Sequence, residues 1–287
     1  AGPWRRLADT GIVVREWTID PDTGQLDLDE LGALLTDKTR LVAFPHCSNV
    51  VAAINPVAEI TAKVHAAGAL VLTDGVAWAP HGIPDVGGLG VDIYLFSLYK
   101  TWGPHLGVMT VKRELLDSMA NQGHFFTAGK PGARLLPAGP DPAQIAASAG
   151  VCDFFVALYE NLFEGRGAAA DRGRRLNAFI RAHETRLLSR LLDWLRKRDD
   201  LYIVGPDDPD RRAPTVSVVP LGKTIEEVHR TLTEHKLMTG FGHFYGVRPL
   251  ESMDIATDPG VLRFSFLHYT TEAEIERLLD GLEAALA

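Results

Sequence analysis

Asp92-Ile93-Tyr94-Leu95-Phe96-Ser97-Leu98-Tyr99-Lys100-Thr101-Trp102-Gly103-Pro104-His105 reads as an apolar strand that runs straight into a lysine and a turn. A lysine at the mouth of a buried strand needs a partner, because burying an unpaired ammonium is costly. Upstream, Ala69-Leu70-Val71-Leu72-Thr73-Asp74-Gly75 ends the same way, in an aspartate. Working outward, strands are expected at about 11–16, 40–44, 69–73 and 92–97, and helices at about 28–36 and 56–67. Asp27 can cap the first helix, and Pro56 suits the first turn of the second. Strands apolar on both faces and separated by helices imply a three-layer αβα arrangement around a mostly parallel α/β sheet. Leu106-Gly107-Val108-Met109-Thr110-Val111 follows only a short turn, so it is expected to pair antiparallel.

Further along, residues 121–142 are rich in Gly and Pro and read as a long loop, a feature that is usually functional or mobile. Two helical stretches follow, at about 143–163 and 167–198. The second carries the stripe Leu176, Phe179, Ile180, Leu187, Leu188, Leu191, Leu192 and Leu195. Residues 199–287 read strand, strand, helix, strand, loop, strand, helix, a smaller α+β domain. The expected organisation is a large domain over 1–165, a linking helix over 166–198 and a small C-terminal domain over 199–287.

The 287 residues are 46% hydrophobic and 23% charged, with a net charge of −8. With no basic block, nucleic acid and anionic membrane surfaces are poor partners. No apolar run is read as approaching the roughly 18 residues of a membrane span. Cys47 and Cys152 make no disulfide framework, which favours a reducing cytoplasm. The opening Ala1-Gly2-Pro3-Trp4 lacks a Met and starts abruptly, so a preceding segment is expected to be absent.

In an open α/β sheet, ligands sit outside the carboxyl ends of the strands, where Asp74 and Lys100 both fall. Pyridoxal 5'-phosphate (PLP) needs such a pair. The lysine forms a Schiff base and later serves as general acid and base, while the carboxylate keeps the pyridinium nitrogen protonated. The plain alternative is a structural Asp–Lys pair at a sheet edge.

Taken together, several motifs resemble the class V aminotransferases of PLP fold type I, especially the cysteine desulfurase-like branch. They are Gly24-Gln25-Leu26-Asp27, Thr39-Arg40-Leu41-Val42, Ser48-Asn49-Val50, Ile54-Asn55-Pro56-Val57, Asp74-Gly75, Ala79-Pro80-His81 and Ser97-Leu98-Tyr99-Lys100. The resemblance implies that Asn49 lies near the cofactor's phenolic oxygen, that Asp74 partners the ring nitrogen and that Ser97 binds the phosphate. Tyr99 takes a neighbouring position where relatives often have His, and Lys100 is the Schiff-base lysine. Arg263, in Val261-Leu262-Arg263-Phe264-Ser265, matches the arginine that grips a substrate carboxylate, a task suited to a planar, always-charged fork. A strand arginine with a local acidic partner is the alternative for Arg263, and an Asx turn is the alternative for Asn49.

The departures from that family are specific. Where relatives carry a sulfur-accepting Cys, the chain reads Gly242-His243-Phe244-Tyr245, which makes His243 and Tyr245 substrate-side candidates. Ala77 stands where relatives have Gln or His beside the ring, and Pro140 where a Thr reaches a neighbouring subunit's phosphate. Gly222-Lys223-Thr224 is no P-loop, because Ser217 occupies the required upstream glycine position. No GxGxxG is present, and His81, His105, His124 and His243 lack metal-ligand spacing. Trp78 and Trp102 flank the two strand ends as pocket walls or as packing. Two functions follow from the resemblance. One is a homodimeric PLP enzyme, a transferase or lyase acting on an amino acid or related amine. The other is a non-catalytic or weakly PLP-binding relative that serves in assembly.

Overall fold

A computed structural model of the chain describes residues 2–136, 138–139, 141–165 and 167–287. Four strands form the first sheet: β1 (Leu41–Pro45), β2 (Leu70–Asp74), β3 (Ile93–Ser97) and β4 (Gly107–Val111). They lie in the order β1-β2-β3-β4, with β1, β2 and β3 parallel and β4 antiparallel to β3, as its short connection requires. Pro45 pairs with Asp74 and Asp74 with Leu95, so β1 and β2 end level with the middle of β3, which continues to Ser97.

Helix Leu28–Leu34 is capped by Asp27, whose carboxylate accepts from the Asp29 amide at 2.8 Å. Helix Val57–Ala66 begins one residue after Pro56, which sits at its N-cap rather than inside its first turn. Both pack on the sheet through Leu31, Val57, Ile60 and Val64 against Phe44, Val71 and Tyr94. Helix Ala149–Leu162 and the first half of helix Ala169–Leu195 form another layer, through Val151, Phe155, Leu176 and Ile180. The result is the expected three-layer α/β architecture.

Three expectations are corrected. Residues 11–16 form no strand. A 3-10 turn, Arg6–Thr10, leads into extended chain whose Ile12 and Val13 are exposed, because no neighbouring strand lies there to pair with among the described residues. The stretch Pro142–Leu162 does meet the length and composition of a membrane span. It comprises two helices, Pro142–Ala147 and Ala149–Leu162, and the inner side of the second is packed against the protein core. Phe179 is exposed, while the rest of the predicted stripe is buried; its ring leans edge-on against Phe163 instead.

The second sheet is antiparallel throughout: β5 (Leu201–Val204), β6 (Thr215–Pro220), β7 (Gly240–Gly242) and β8 (Val261–Ser265), in the order β5-β6-β8-β7. A short helix, Val247–Ser252, occupies the expected loop between β7 and β8. Helices Ile225–Glu234 and Glu272–Leu286 both start with a capping box, Thr224 with Glu227 and Thr271 with Glu274. Their apolar faces meet Leu187, Leu188, Leu191, Leu192 and Leu195 of the long helix. That helix therefore packs on the first sheet's layer at one end and on the second sheet's core at the other.

The turn at 48–53 joins the two sheets. Val50, Val51 and Ala53 share an apolar cluster with Val204, Leu250, Met253 and Val261. The buried Ser217 hydroxyl donates to the Val50 carbonyl at 2.6 Å. Fully buried Arg212 donates to the carbonyls of Val51 and Val204. The backbone of residues 211–213 bonds to that of residues 52–54 on both sides.

Candidate active site at the strand edge

Asp74 closes β2 with its carboxylate exposed. One oxygen accepts the Val76 amide at 2.9 Å, and the other has no protein partner among the described residues. After Ser97, β3 enters the turn Leu98–Thr101. The Leu98 carbonyl accepts both the Gly103 amide and the Thr101 hydroxyl, and Trp102 turns the chain at φ 61°. This turn holds Lys100 half-buried at the edge. Its ammonium makes no hydrogen bond or ion pair among the described residues and lies 5.9 Å above the Tyr99 ring. The structural Asp74–Lys100 pair does not form. Both charges nonetheless act on one buried atom, the Cys47 thiol. Burial and then Asp74 push it up to about 12, while Arg181 and Lys100 pull it down.

Behind Asp74 lies a layer that sequence reading missed. The His46 amide donates to the Asp74 carbonyl at 2.7 Å. Its ring Nδ1 is 2.8 Å from the Tyr94 hydroxyl, and the ring stacks on Trp78 at 4.5 Å. Burial pushes His46 down to about 4, so the ring is neutral at pH 7. Gly75 leaves room for the Tyr94 hydroxyl, which a Cβ there would strike. Ala77 and Trp78 pack beside Cys47, so Trp78 is a packing residue. His81 is likewise internal, 3.0 Å from the buried Glu184 carboxylate. Tyr99 is exposed and stacks on His105 at 4.8 Å, and Ser97 is half-buried. Trp102 meets His268 edge-on at 4.7 Å. Pro140 lies outside the described residues.

From the second sheet comes Arg263 of β8. Its Nη1 donates to the Asn49 carbonyl at 2.9 Å, and its guanidinium lies 3.7 Å from the centre of the Phe244 ring. Burial lowers its pKa, and no carboxylate pairs with it among the described residues, which removes the ion-pair alternative. Asn49 spans the two sheets, because its amide Nδ2 also donates to the Phe244 carbonyl at 2.6 Å. The following turn places Tyr245 almost fully exposed, and its amide donates to His243 Nδ1 at 3.0 Å. That bond leaves the ring proton of a neutral His243 on Nε2. Phe244 was inside the quoted sequence stretch but carried no chemical signal of its own; only the tertiary contact with Arg263 reveals it.

A mostly parallel sheet with an Asp and a Lys at adjacent strand ends, joined to a small antiparallel domain, is the α/β fold of type I PLP enzymes. The solved cysteine desulfurase CsdA of Escherichia coli superimposes with a TM-score of 0.82 over 99% of this chain and 68% of its own, at 23% identity. The profile of the family described as Aminotransferase class-V matches residues 1–130 and 165–278. The chain belongs to that family. Among curated proteins it is 32% identical to the aminotransferase-like protein FGM3 of Gibberella zeae, over 99% of this chain and 69% of that protein. It is 31% identical to the cysteine desulfurase-like protein ustD of Aspergillus flavus, over 99% of this chain and 64% of that protein. The chain thus spans about two thirds of the length of these relatives.

Proposed function

We propose that the chain is a PLP-dependent enzyme acting on an amino acid or a related amine. The observation that carries this reading is an ammonium in the turn after β3 and a carboxylate oxygen at the end of the adjacent β2, both without a hydrogen-bond partner among the described residues. Those groups fit the cofactor, and a guanidinium that has no anion partner among the described residues fits a substrate carboxylate. In this reading Lys100 holds the cofactor and its Nζ moves the proton at the substrate Cα. Asp74 holds the ring nitrogen's proton, Asn49 and Ser97 orient the ring and phosphate, and Tyr99 borders them. Arg263 binds the substrate carboxylate, with His243 and Tyr245 on the substrate side. When bound, PLP supplies an electron sink for the bond broken at Cα.

Sulfur transfer is disfavoured, because no thiol stands at the tip of the His243–Tyr245 turn. Cys47 is buried with its pKa raised, and Cys152 lies on helix Ala149–Leu162. We assign residues 1–165 to the cofactor-binding domain, 166–198 to the linking helix and 199–287 to the small domain, in a cytoplasmic homodimer. The exposed Phe125, Phe126 and Ile145 support the dimer, and a monomeric mass by light scattering speaks against it.

The test is the visible spectrum after incubation with PLP, followed by borohydride and peptide mapping. A band that reduction fixes on the Lys100 peptide, absent in Lys100→Ala, is the expected result. A chain that takes up no PLP, or that carries it elsewhere, overturns the enzyme reading. Ala77 favours the second reading, a weakly binding relative serving in assembly, since its methyl group offers the ring no hydrogen bond.

A further inference from the structure

We propose that Phe244 is a positioning residue that fixes the plane of the Arg263 guanidinium as a carboxylate receptor. The inference rests on the reading of Arg263 as the substrate anchor. A guanidinium has two faces and an edge of five N–H donors. The Phe244 ring covers one face at 3.7 Å, a cation–π contact, and the Asn49 carbonyl engages Nη1 at 2.9 Å. With one face covered and Nη1 held, the plane of the fork is fixed, and a carboxylate must arrive edge-on in that plane.

The backbone supports the same arrangement. Phe244 has φ 47° and Tyr245 has φ 62°, two successive left-handed residues that are not glycine. Side chains with a Cβ avoid that region, and such conformations persist where the surroundings over-determine them. Here the Phe244 carbonyl accepts Asn49 Nδ2 at 2.6 Å, His243 Nδ1 accepts the Tyr245 amide, and Gly246 lies so close to Val50 that a Cβ would strike it. Packing alone does not account for the choice of residue. Phe244 touches the Val50–Val261 cluster, and a leucine would also fill that contact. Only an aromatic face attracts the guanidinium.

The experiment follows the Arg263 Nε–H resonance in the labelled chain, assigned by its loss in Arg263→Lys, while acetate alone is added. In the unsubstituted chain the Hε signal is expected upfield, shifted by the Phe244 ring, and it moves as acetate binds. Phe244→Leu should abolish the upfield shift and weaken acetate binding about fivefold. Phe244→Tyr should keep the shift and bind within about twofold of the parent. If acetate binds through Arg263 but Phe244→Leu binds it equally well, the positioning role is overturned and the anchor reading stands. If acetate does not bind, or Arg263→Lys binds it unchanged, the anchor reading fails and the inference fails with it.

Discussion

A buried histidine that resists protonation ties stability to pH. His46 lies against Trp78 and Tyr94 and takes up a proton only near pH 4 when folded, whereas the unfolded chain does so near 6.5. As pH falls below 6.5 the unfolded state binds the proton first, so stability is lost. The loss reaches at most about 3 kcal/mol near pH 4. Urea midpoints should therefore fall between pH 7 and pH 5, and His46→Gln should flatten that slope even if it lowers the midpoint at pH 7. An equal slope in the variant would remove His46 as the cause. At this scale the sequence was informative where chemistry coincides with a strand end. Asp74 and Lys100 stand out because a charged residue interrupts an apolar run. His46 and Phe244 do not stand out, because their roles depend on residues 48 and 19 positions away, Tyr94 and Arg263, and no periodicity encodes that separation.

Elements were legible when their partners were close in sequence. β2, β3 and β4 follow one another, and their apolar runs place them to within a residue or so. The Ile12-Val13-Val14 run failed as a strand because strand formation needs a neighbour, and apolar character alone does not supply one. The 48–53 turn was invisible for the opposite reason: a loop by composition, it is interior by contact. Arg212 is its main polar tie to β5, donating to the carbonyls of Val51 and Val204 with its guanidinium fully buried. Arg212→Ala leaves two buried carbonyls short of donors and a cavity behind them, which should cost about 3–5 kcal/mol. Chemical denaturation reads this directly, and a loss below about 1 kcal/mol would show that water replaces the side chain.

At the scale of the whole molecule, the candidate residues of the proposed site come from both halves. Asp74 and Lys100 come from the first sheet, Arg263 from the second, and Asn49 bridges them through Arg263 and Phe244. The class of fold was readable from the alternation of strands and helices in the first half. The mutual placement of the two sheets was not, because it depends on a buried serine hydroxyl, a buried arginine and a cluster of valines that the sequence presents as unrelated loop and strand residues.

The burial of the 48–53 turn within the second sheet has a kinetic meaning. Backbone amides are released to solvent by the smallest opening that exposes them. The amide of Ala213 donates to Ala52 and that of Ile54 to Arg211, so any opening that separates the two halves breaks both bonds together. In deuterated water these amides should exchange as slowly as those in the centre of β6, through the same cooperative opening. The strand-edge turn that carries Lys100 should exchange sooner. Such a pattern would mark a molecule whose domains share one unfolding unit and whose mobility is confined to the rim of its candidate site.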